Sequence, residues 1–138
     1  MKKLTRMLLI HWHHYEKELI DFEMINFLTG KTAAGKSTII DALQLVLLGD
    51  TDGNFFNKAA NSRSARTLKS YLYGELGDDG DTGFRYLREN MRFTSYVALE
   101  FFDTQKNTPF VTGIVCDCYK DQNFDRKWFV INGHGLPD

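Results

Sequence analysis

The N-terminal part of the chain alternates short apolar runs with polar clusters, a pattern typical of strands joined by turns. Residues 4–10, 18–22 and 24–28 are each predicted to form a strand. The polar and aromatic sequence HWHHYEK, residues 11–17, is expected to form a loop between the first two strands. The third predicted strand leads directly into a glycine-containing turn.

A long helix is the strongest local prediction. In residues 36–48 apolar side chains recur at i, i+4, i+7 and i+8, and further apolar residues leave little polar surface. Such a helix is expected to be buried on most sides. Residues 30–35 form the predicted turn before it. Gly49 is placed to end the helix, because glycine readily takes the left-handed conformation of helix C-caps.

From residue 50 onwards the pattern changes twice. Residues 50–90 are rich in Gly, Asp, Asn and basic residues, and we expect loops, a short helix over residues 65–73 and an exposed acidic turn at residues 78–81. The last part returns to apolar runs separated by polar turns, which predicts antiparallel hairpins. Its three predicted strands are residues 94–103, 109–120 and 127–133.

Length and composition fit one domain of a globular protein. The chain has 138 residues, of which 43% are hydrophobic and 25% are charged, and this balance is that of a soluble globular protein rather than a disordered one. A net charge of −1 gives no overall attraction to nucleic acid, so DNA binding would require a local basic patch. Two cysteines give no disulfide framework, and the sequence shows no export segment, so a location in the reducing cytoplasm is predicted. No apolar run is long enough to span a membrane, and no membrane partner is expected.

The turn before the predicted helix carries a phosphate-binding motif. Gly30, Gly35, Lys36 and Ser37 satisfy G-x-x-x-x-G-K-[ST], between an apolar run and a long helix. Glycines let successive backbone N–H groups face a phosphate, and the helix presents its positive end. The lysine meets the β- and γ-phosphates and the hydroxyl completes the coordination of Mg²⁺, so ATP with Mg²⁺ is the predicted ligand. The predicted nucleotide site comprises Gly30, Lys31, Thr32, Ala33, Ala34, Gly35, Lys36, Ser37 and Thr38, with Ser37 as the magnesium ligand.

Two alanines distinguish this loop from many others. Ala33 and Ala34 occupy positions where a further glycine is common. The loop must therefore be built without a positive φ at these residues, or with strain. We expect nucleotide binding to persist, with the affinity left open.

The order of these segments resembles the N-terminal half of an SMC-type ATPase head, the group that includes the SMC proteins, MukB, RecF and SbcC. The sequences IDFEMINFLTG and STIIDALQLVLLGD carry the likeness around the phosphate loop. FNKAANSRSARTL, FTSYVALEFFD and GIVCD make it most similar to the MukB-like family of condensin-type subunits, which includes the JetC subunits of the Wadjet plasmid-defence system. The resemblance implies an α/β fold of the P-loop NTPase class. Residues 1–138 would be the N-terminal lobe of an ABC/SMC-type head, with a mixed sheet and antiparallel β-hairpins.

In that family two heads enclose two ATP molecules, and each site takes parts from both heads. The resemblance implies that the Walker B strand, the catalytic glutamate and the signature motif lie in a C-terminal lobe beyond a long coiled coil. The chain is therefore expected to be a fragment that binds ATP but hardly hydrolyses it, with no catalytic residue of its own. The implied partners are that C-terminal lobe, a second head, kleisin-type and accessory subunits, and DNA, in chromosome organisation or plasmid defence.

The resemblance places residues 11–17 beside the base, sugar and phosphates of the nucleotide. The residues concerned are His11, Trp12, His13 and His14, and relatives often have an arginine at the position of His13. Stacking of Trp12 or a histidine on adenine is one hypothesis, and Trp12 as a core anchor of the loop is the other. A metal site built on His11, His13 and His14 lacks further ligands at suitable spacing.

A basic segment is the implied DNA contact. In NSRSARTLKS, residues 61–70, the resemblance assigns contacts with the DNA backbone to Arg63, Arg66 and Lys69. Positive charge is sufficient to neutralise phosphate, so the swapped order of lysine and arginine relative to the family is tolerable. The alternative is an ordinary solvated helix face.

Two other function classes stay open. GIVCDC, residues 113–118, has the form of a Walker B strand with Asp117 as magnesium ligand, in a self-contained kinase-like enzyme whose lid would use the basic residues of 85–92. The Walker B interpretation is opposed by Cys118, which stands where a hydrolysing enzyme would have glutamate. Cys116 and Cys118 are expected to share one face of the strand as packing residues. The third class is an interaction module whose phosphate loop does not bind nucleotide.

Overall fold

The computed structural model describes residues 1–22, 33–49, 68–78 and 84–137. In chain order its elements are β1 (Lys2–Trp12), β2 (Tyr15–Asp21), α1 (Ala33–Leu48), α2 (Leu68–Tyr73), β3 (Glu75–Asp78), β4 (Phe84–Tyr86), β5 (Phe93–Asp103), β6 (Thr108–Cys118) and β7 (Phe124–Asn132). Five strands form one sheet in the order β2-β1-β5-β6-β7, and β3 pairs with β4 in a second, small sheet. Apolar clusters cover both faces of the larger sheet.

Every pairing between the described strands is antiparallel. This confirms the antiparallel hairpins predicted for the C-terminal part, where β5, β6 and β7 follow one another through short turns. Asn107 and Gln122 take positive φ values of 55° and 69° in those turns, a conformation that asparagine tolerates better than most residues. The mixed sheet expected from the resemblance requires the predicted strand at 24–28, which lies outside the described residues.

The expected loop over residues 11–17 is wrong. β1 continues through Trp12 and β2 begins at Tyr15, so these two residues pair across a two-residue turn. The sequence HWHHYEK reads as a loop because most of its residues are polar. Side chains of a strand alternate between its two faces, so a buried Trp12 between two polar residues is also compatible with a strand. His13 takes a φ of 51°, as tight hairpin turns often require.

The small sheet lies in a segment for which the sequence predicts loops and an acidic turn. β3 and β4 have four and three residues, and the glycine and aspartate of β3 are depleted in strands generally. Asp78 ends β3, and the rest of the predicted acidic turn lies outside the described residues. α2 confirms that the predicted short helix ends at Tyr73, whereas its predicted start at 65–67 is not described.

Helix α1 begins three residues earlier than the sequence predicts. The predicted start is Lys36, but alanine has the highest helix propensity, and Ala33 and Ala34 take helical backbone without a positive φ. The helix ends as predicted: Gly49 has a φ of 66° and donates its N–H to the carbonyl of Leu45 at 3.1 Å, which is a left-handed C-cap. Across the described ranges, no helix combines the length and the apolar character needed to span a membrane.

One face of the larger sheet forms the main core. Ile39, Ala42 and Leu45 of α1 pack there among buried residues of the strands. Cys116 and Cys118 both belong to this cluster, which confirms the prediction that they share one face of β6 as packing residues. Burial raises the pKa of each thiol to about 12, so the thiolate needed for metal binding or redox chemistry is suppressed near neutral pH.

On the opposite face, an ion pair fastens the C-terminal segment to the sheet. Arg6 donates to the two carboxylate oxygens of Glu100 at 3.0 and 2.7 Å, and to the carbonyl of Leu136 at 2.9 Å. The same carboxylate accepts from the hydroxyl of Thr5 and from the backbone N–H of Leu136, each at 2.7 Å. Leu136 is thereby held against Leu8 in a smaller apolar cluster.

Glu100→Gln is expected to destabilise the fold at neutral pH. Hydrogen bonds from Arg6 outweigh burial and hold the pKa of Glu100 at about 2, which corresponds to roughly 3 kcal/mol of preference for the ionised form. We expect the substitution to lower the free energy of unfolding by about 2 kcal/mol at pH 7. The ionised form contributes fully above the ordinary pKa of 4.5 and less as the pH falls toward 2. The difference between variant and wild type should therefore shrink across that window.

Urea unfolding at pH 7 and at a series of lower pH values measures this difference. Asp117→Asn is the matched control, since that carboxylate is exposed on β6 and accepts a hydrogen bond from the hydroxyl of Thr94. Equal losses for the two variants, or a loss at Glu100 that does not shrink in acid, would contradict the ion-pair explanation.

Candidate functional site

The phosphate-loop motif meets the described structure at the start of α1. Gly30, Lys31 and Thr32 lie outside the described residues, and residues 33–37 are described as helical backbone only. The roles predicted for these side chains therefore stay predictions. The first turn of α1 contains no acidic residue, and the first four N–H groups of a helix have no acceptor within the helix. This end of α1 fits an anionic group such as a phosphate.

Trp12 attaches the β1–β2 hairpin to the first turns of α1. It is fully buried, its indole stacks on the ring of Tyr71 with the centroids 4.6 Å apart, and its Nε1–H donates to the carbonyl of Thr38 at 3.2 Å. Thr38 follows Ser37 directly in the sequence. Of the two roles considered for Trp12, the structure favours the core anchor over stacking on a base. The hairpin is thus held beside the helix that follows the phosphate loop.

Tyr71 connects the same hairpin and helix to α2. Its hydroxyl donates to the carboxylate of Asp41, one turn beyond Ser37 on α1, and its backbone carbonyl accepts from the N–H of His13 at 2.6 Å. Asp41 is 0% exposed and Tyr71 is 2% exposed. The hairpin, α1 and α2 therefore meet in one buried cluster. We call this cluster the Tyr71 junction, and it consists of Trp12, His13, Thr38, Asp41 and Tyr71.

The histidines of the hairpin do not converge on one point. The rings of His13 and His14 stack with their centroids 4.0 Å apart, and Nε2 of His14 lies 3.3 Å from the carbonyl oxygen of Glu75. The side chain of His11, a residue of β1, instead contacts β5, with its Nδ1 2.8 Å from the carbonyl oxygen of Thr94. Among the residues that the structure describes, no three potential metal ligands are grouped to hold an ion. The metal site considered for the three histidines is therefore unsupported, and their contact with base or sugar stays a prediction.

Arg88 is a buried cation that joins α2 to the hairpin. Its side chain, 2% exposed, donates to the carbonyls of Leu72 at 2.8 Å and Tyr15 at 3.0 Å, and it lies over the ring of Phe93. Burial lowers the pKa of this guanidinium from its ordinary value. The kinase alternative uses the basic residues of 85–92 as a lid over a phosphate, and this role is wrong for Arg88.

Asp117, the magnesium ligand of the kinase alternative, lies on the far face of the sheet. Cys116 and Cys118 face α1 in the main core, so Asp117 points to the other side, where it is exposed and accepts a hydrogen bond from Thr94 at 3.0 Å. β6 is also antiparallel to both of its neighbours, whereas a kinase-like sheet would place this strand in parallel between crossover helices. The geometry opposes a Walker B role for Asp117.

Lys69 is the one residue of the predicted DNA contact within the described ranges. Its Nζ lies 5.6 Å from the centroid of the Tyr86 ring, a cation–π geometry. Arg63 and Arg66 lie outside the described residues. The DNA contact stays a prediction, as does the alternative of a solvated basic face.

Residues 4–63 match the family model described as the P-loop containing region of AAA domain. The match covers β1 from its third residue onwards, β2, the complete phosphate-loop motif and α1. It supports a P-loop NTPase region, and with it nucleotide binding, in this part of the chain. No curated protein matches the chain.

The structural roles of three residues in this region are not predicted from the sequence, namely those of Asp41, Tyr71 and Arg88. Asp41 carries a signal, because a carboxylate in the middle of an almost wholly apolar helix needs a hydrogen-bond partner once the helix is buried. Its partner Tyr71 is 30 residues away, and no local pattern identifies it. Arg88 gives no such signal, because its acceptors are backbone carbonyls of two other elements.

Gly74→Ala tests how tightly the hairpin packs against the end of α2. Gly74 has a φ of 71°, and a Cβ there would lie 2.8 Å from the carbonyl oxygen of His13 and 3.1 Å from a guanidinium nitrogen of Arg88. We expect the free energy of unfolding to fall by about 3 kcal/mol, because backbone strain is added to displacement of the hairpin.

Gly49→Ala is the matched control for this substitution. Gly49 has a φ of 66°, but no described atom lies within 4 Å of the added Cβ. This variant should lose only about 1 kcal/mol, the strain of an alanine in the left-handed region. Urea unfolding of both variants measures the difference, and equal losses would show that the hairpin does not press on Gly74.

Proposed function

We propose that the chain is the ATP-binding N-terminal lobe of an SMC-like ATPase head of the MukB-like family. The observation that carries the proposal is the complete motif G-x-x-x-x-G-K-[ST] at residues 30–37, inside the matched span and running straight into α1. The antiparallel sheet packs against that helix, and the first turn of the helix holds no carboxylate. Both features suit a helix that presents its N-terminus to a polyphosphate.

Charge and geometry both contribute to the proposed binding. In the proposed complex the backbone N–H groups of residues 30–35 would donate to phosphate oxygens, and the ammonium of Lys36 would offset the charge of the β- and γ-phosphates. The hydroxyl of Ser37 would hold Mg²⁺, which would supply further positive charge against the phosphates. His13 and His14, at the tip of the hairpin, are the proposed contacts to base or sugar. Trp12 is buried, so it positions this tip rather than touching the base.

Hydrolysis is proposed to require a second lobe and a second head. The chain's own candidate for a Walker B strand is β6, whose Asp117 is on the sheet face opposite α1. The next residue is Cys118, a buried thiol, where a hydrolysing enzyme would have a glutamate. Turnover by the chain alone is therefore expected to be very slow.

The DNA-related part of the proposal rests on the particular segments FNKAANSRSARTL, FTSYVALEFFD and GIVCD. These segments, unlike the widespread phosphate-loop motif, resemble the MukB-like subunits and among them the JetC subunits of the Wadjet system. Arg63, Arg66 and Lys69 are the proposed contacts to DNA phosphates. The proposed partners are a C-terminal lobe, a second head, kleisin-type and accessory subunits and DNA, in chromosome organisation or plasmid defence in the cytoplasm.

Lys36→Ala is expected to weaken the binding of Mg²⁺ with a non-hydrolysable ATP analogue by roughly tenfold or more, because it removes the ammonium that opposes the phosphate charge. Isothermal titration calorimetry measures this affinity. Lys106→Ala is the matched control, since it removes an equal charge from the turn between β5 and β6, and it should bind as the wild type does.

Two outcomes would contradict the proposal in different ways. Identical titrations of wild type and Lys36→Ala would favour the interaction module with an idle phosphate loop. Fast ATP turnover by the chain alone, lost in Asp117→Ala, would favour the kinase-like enzyme.

A further inference from the structure

The Tyr71 junction differs in chemistry from the apolar core around it. A tyrosine hydroxyl, a carboxylate and an indole N–H are buried together between α1, α2 and the hairpin. Burial of a carboxylate is costly unless it is hydrogen-bonded, and an apolar side chain at the position of Asp41 would pack without that cost. The polar contacts therefore need an explanation other than core stability.

Both contacts to α1 fall within its first nine residues, out of sixteen. Trp12 donates to the carbonyl of Thr38, and Tyr71 donates to the side chain of Asp41. Positions 38 and 41 are three residues apart and so lie on the same side of the helix. They follow Ser37 by one and four residues. Together they fix the rotation and the axial position of α1 at the turns that follow the phosphate loop.

We propose that Tyr71 is a positioning residue for the phosphate loop, acting through Asp41 and Trp12. The proposal rests on the nucleotide site proposed above. The hydroxyl of Tyr71 donates to Asp41 of α1, and its ring stacks on the indole of Trp12. Its backbone carbonyl accepts from the N–H of His13 at the hairpin tip. A site that is already ordered before the ligand arrives loses less conformational freedom on binding and so binds more tightly. Tyr71 thus raises the affinity for nucleotide without touching it.

Tyr71→Phe removes the hydroxyl and keeps the ring that stacks on Trp12. Tyr73→Phe is the matched control. Tyr73 lies two residues further along α2 and is 1% exposed, against 2% for Tyr71. Its hydroxyl lies 2.9 Å from the carbonyl oxygen of Tyr119 and 3.0 Å from that of Asn123, and it donates to this pair of carbonyls in the β6–β7 turn. Each variant therefore removes one hydrogen-bonded hydroxyl from a buried tyrosine of the same helix.

We expect Tyr71→Phe to weaken the binding of Mg²⁺ with a non-hydrolysable ATP analogue roughly tenfold, an effect typical of removing a group that orients a binding residue. Tyr73→Phe should bind as the wild type does. Tyr71→Phe takes a donor from a buried carboxylate, so it should lower the melting temperature more than Tyr73→Phe, whose hydroxyl meets neutral carbonyls. The titrations are therefore made well below the melting temperature of either variant, where both are folded and a loss of stability does not account for the difference in affinity.

Asp41 supplies a second comparison, which also serves if Tyr71→Phe does not fold. Asp41→Asn keeps an acceptor oxygen for the hydroxyl of Tyr71 and should retain most of the affinity. Asp41→Leu removes the acceptor and should bind at least as weakly as Tyr71→Phe. The double variant should lose less than the sum of the two single losses, because both single variants remove the contact between Tyr71 and Asp41. Additive losses would overturn the proposal.

Hydrogen–deuterium exchange gives a readout that needs no nucleotide. Loss of the Tyr71 hydroxyl should speed exchange at the amides of residues 38–42 in α1, and loss of the Tyr73 hydroxyl should not. Wild-type affinity and unchanged exchange in Tyr71→Phe would overturn the positioning role while the proposed function stands. If the folded wild-type chain binds no nucleotide, the proposed function fails and the positioning role fails with it.

Discussion

The contact on which the rest of the structure depends is the burial of Trp12 between the ring of Tyr71 and the carbonyl of Thr38. β1 is an inner strand, paired with β2 on one side and β5 on the other. Trp12 is its last residue, so the contact of Trp12 with α1 attaches the sheet to that helix. The indole contributes a large apolar surface, and its N–H makes a hydrogen bond that is possible in only one orientation of the ring. Apolar packing by itself is not directional, so this hydrogen bond, with that of Tyr71 to Asp41, restricts how the sheet and the helix are oriented.

The two faces of the sheet have different roles, and this restricts which residues can reach a ligand at α1. The face toward α1 carries the main core and the buried thiols of Cys116 and Cys118. The other face carries the ion pair of Arg6 and Glu100 and the exposed Asp117. Of the residues that the structure describes, those able to contact a nucleotide at the start of α1 lie on the α1 side of the sheet or at the hairpin tip. Asp117 is excluded on this ground, whereas the hairpin tip is compatible.

Features with a local cause could be predicted from the sequence. The strands β5 to β7, the helix α1 with its cap at Gly49 and the phosphate-loop motif all follow from periodicity or from a fixed spacing of residue types. Apart from the start of α1, which the helix propensity of alanine moves to Ala33, the errors occur where contacts between distant parts of the chain decide the structure. The hairpin at 11–17 is stabilised by contacts of Trp12 with residues of α1 and α2, and the partners of Arg88 are carbonyls of two separate elements. The side chains of the motif itself lie outside the described part of the chain.

Ala33 and Ala34 change what a phosphate meets at this site. A loop with a further glycine is free to curl through positive φ and wrap its amides around an anion. Here α1 begins at Ala33, and the amides of residues 33–35 are among those that a helix leaves without an acceptor of its own. These donors point along the helix axis with the dipole behind them, and the helix has already ordered them. A helix end adapts less than a loop does, so the direction of its donors depends on the orientation of α1. The contacts of Trp12 and Tyr71 with α1 set that orientation.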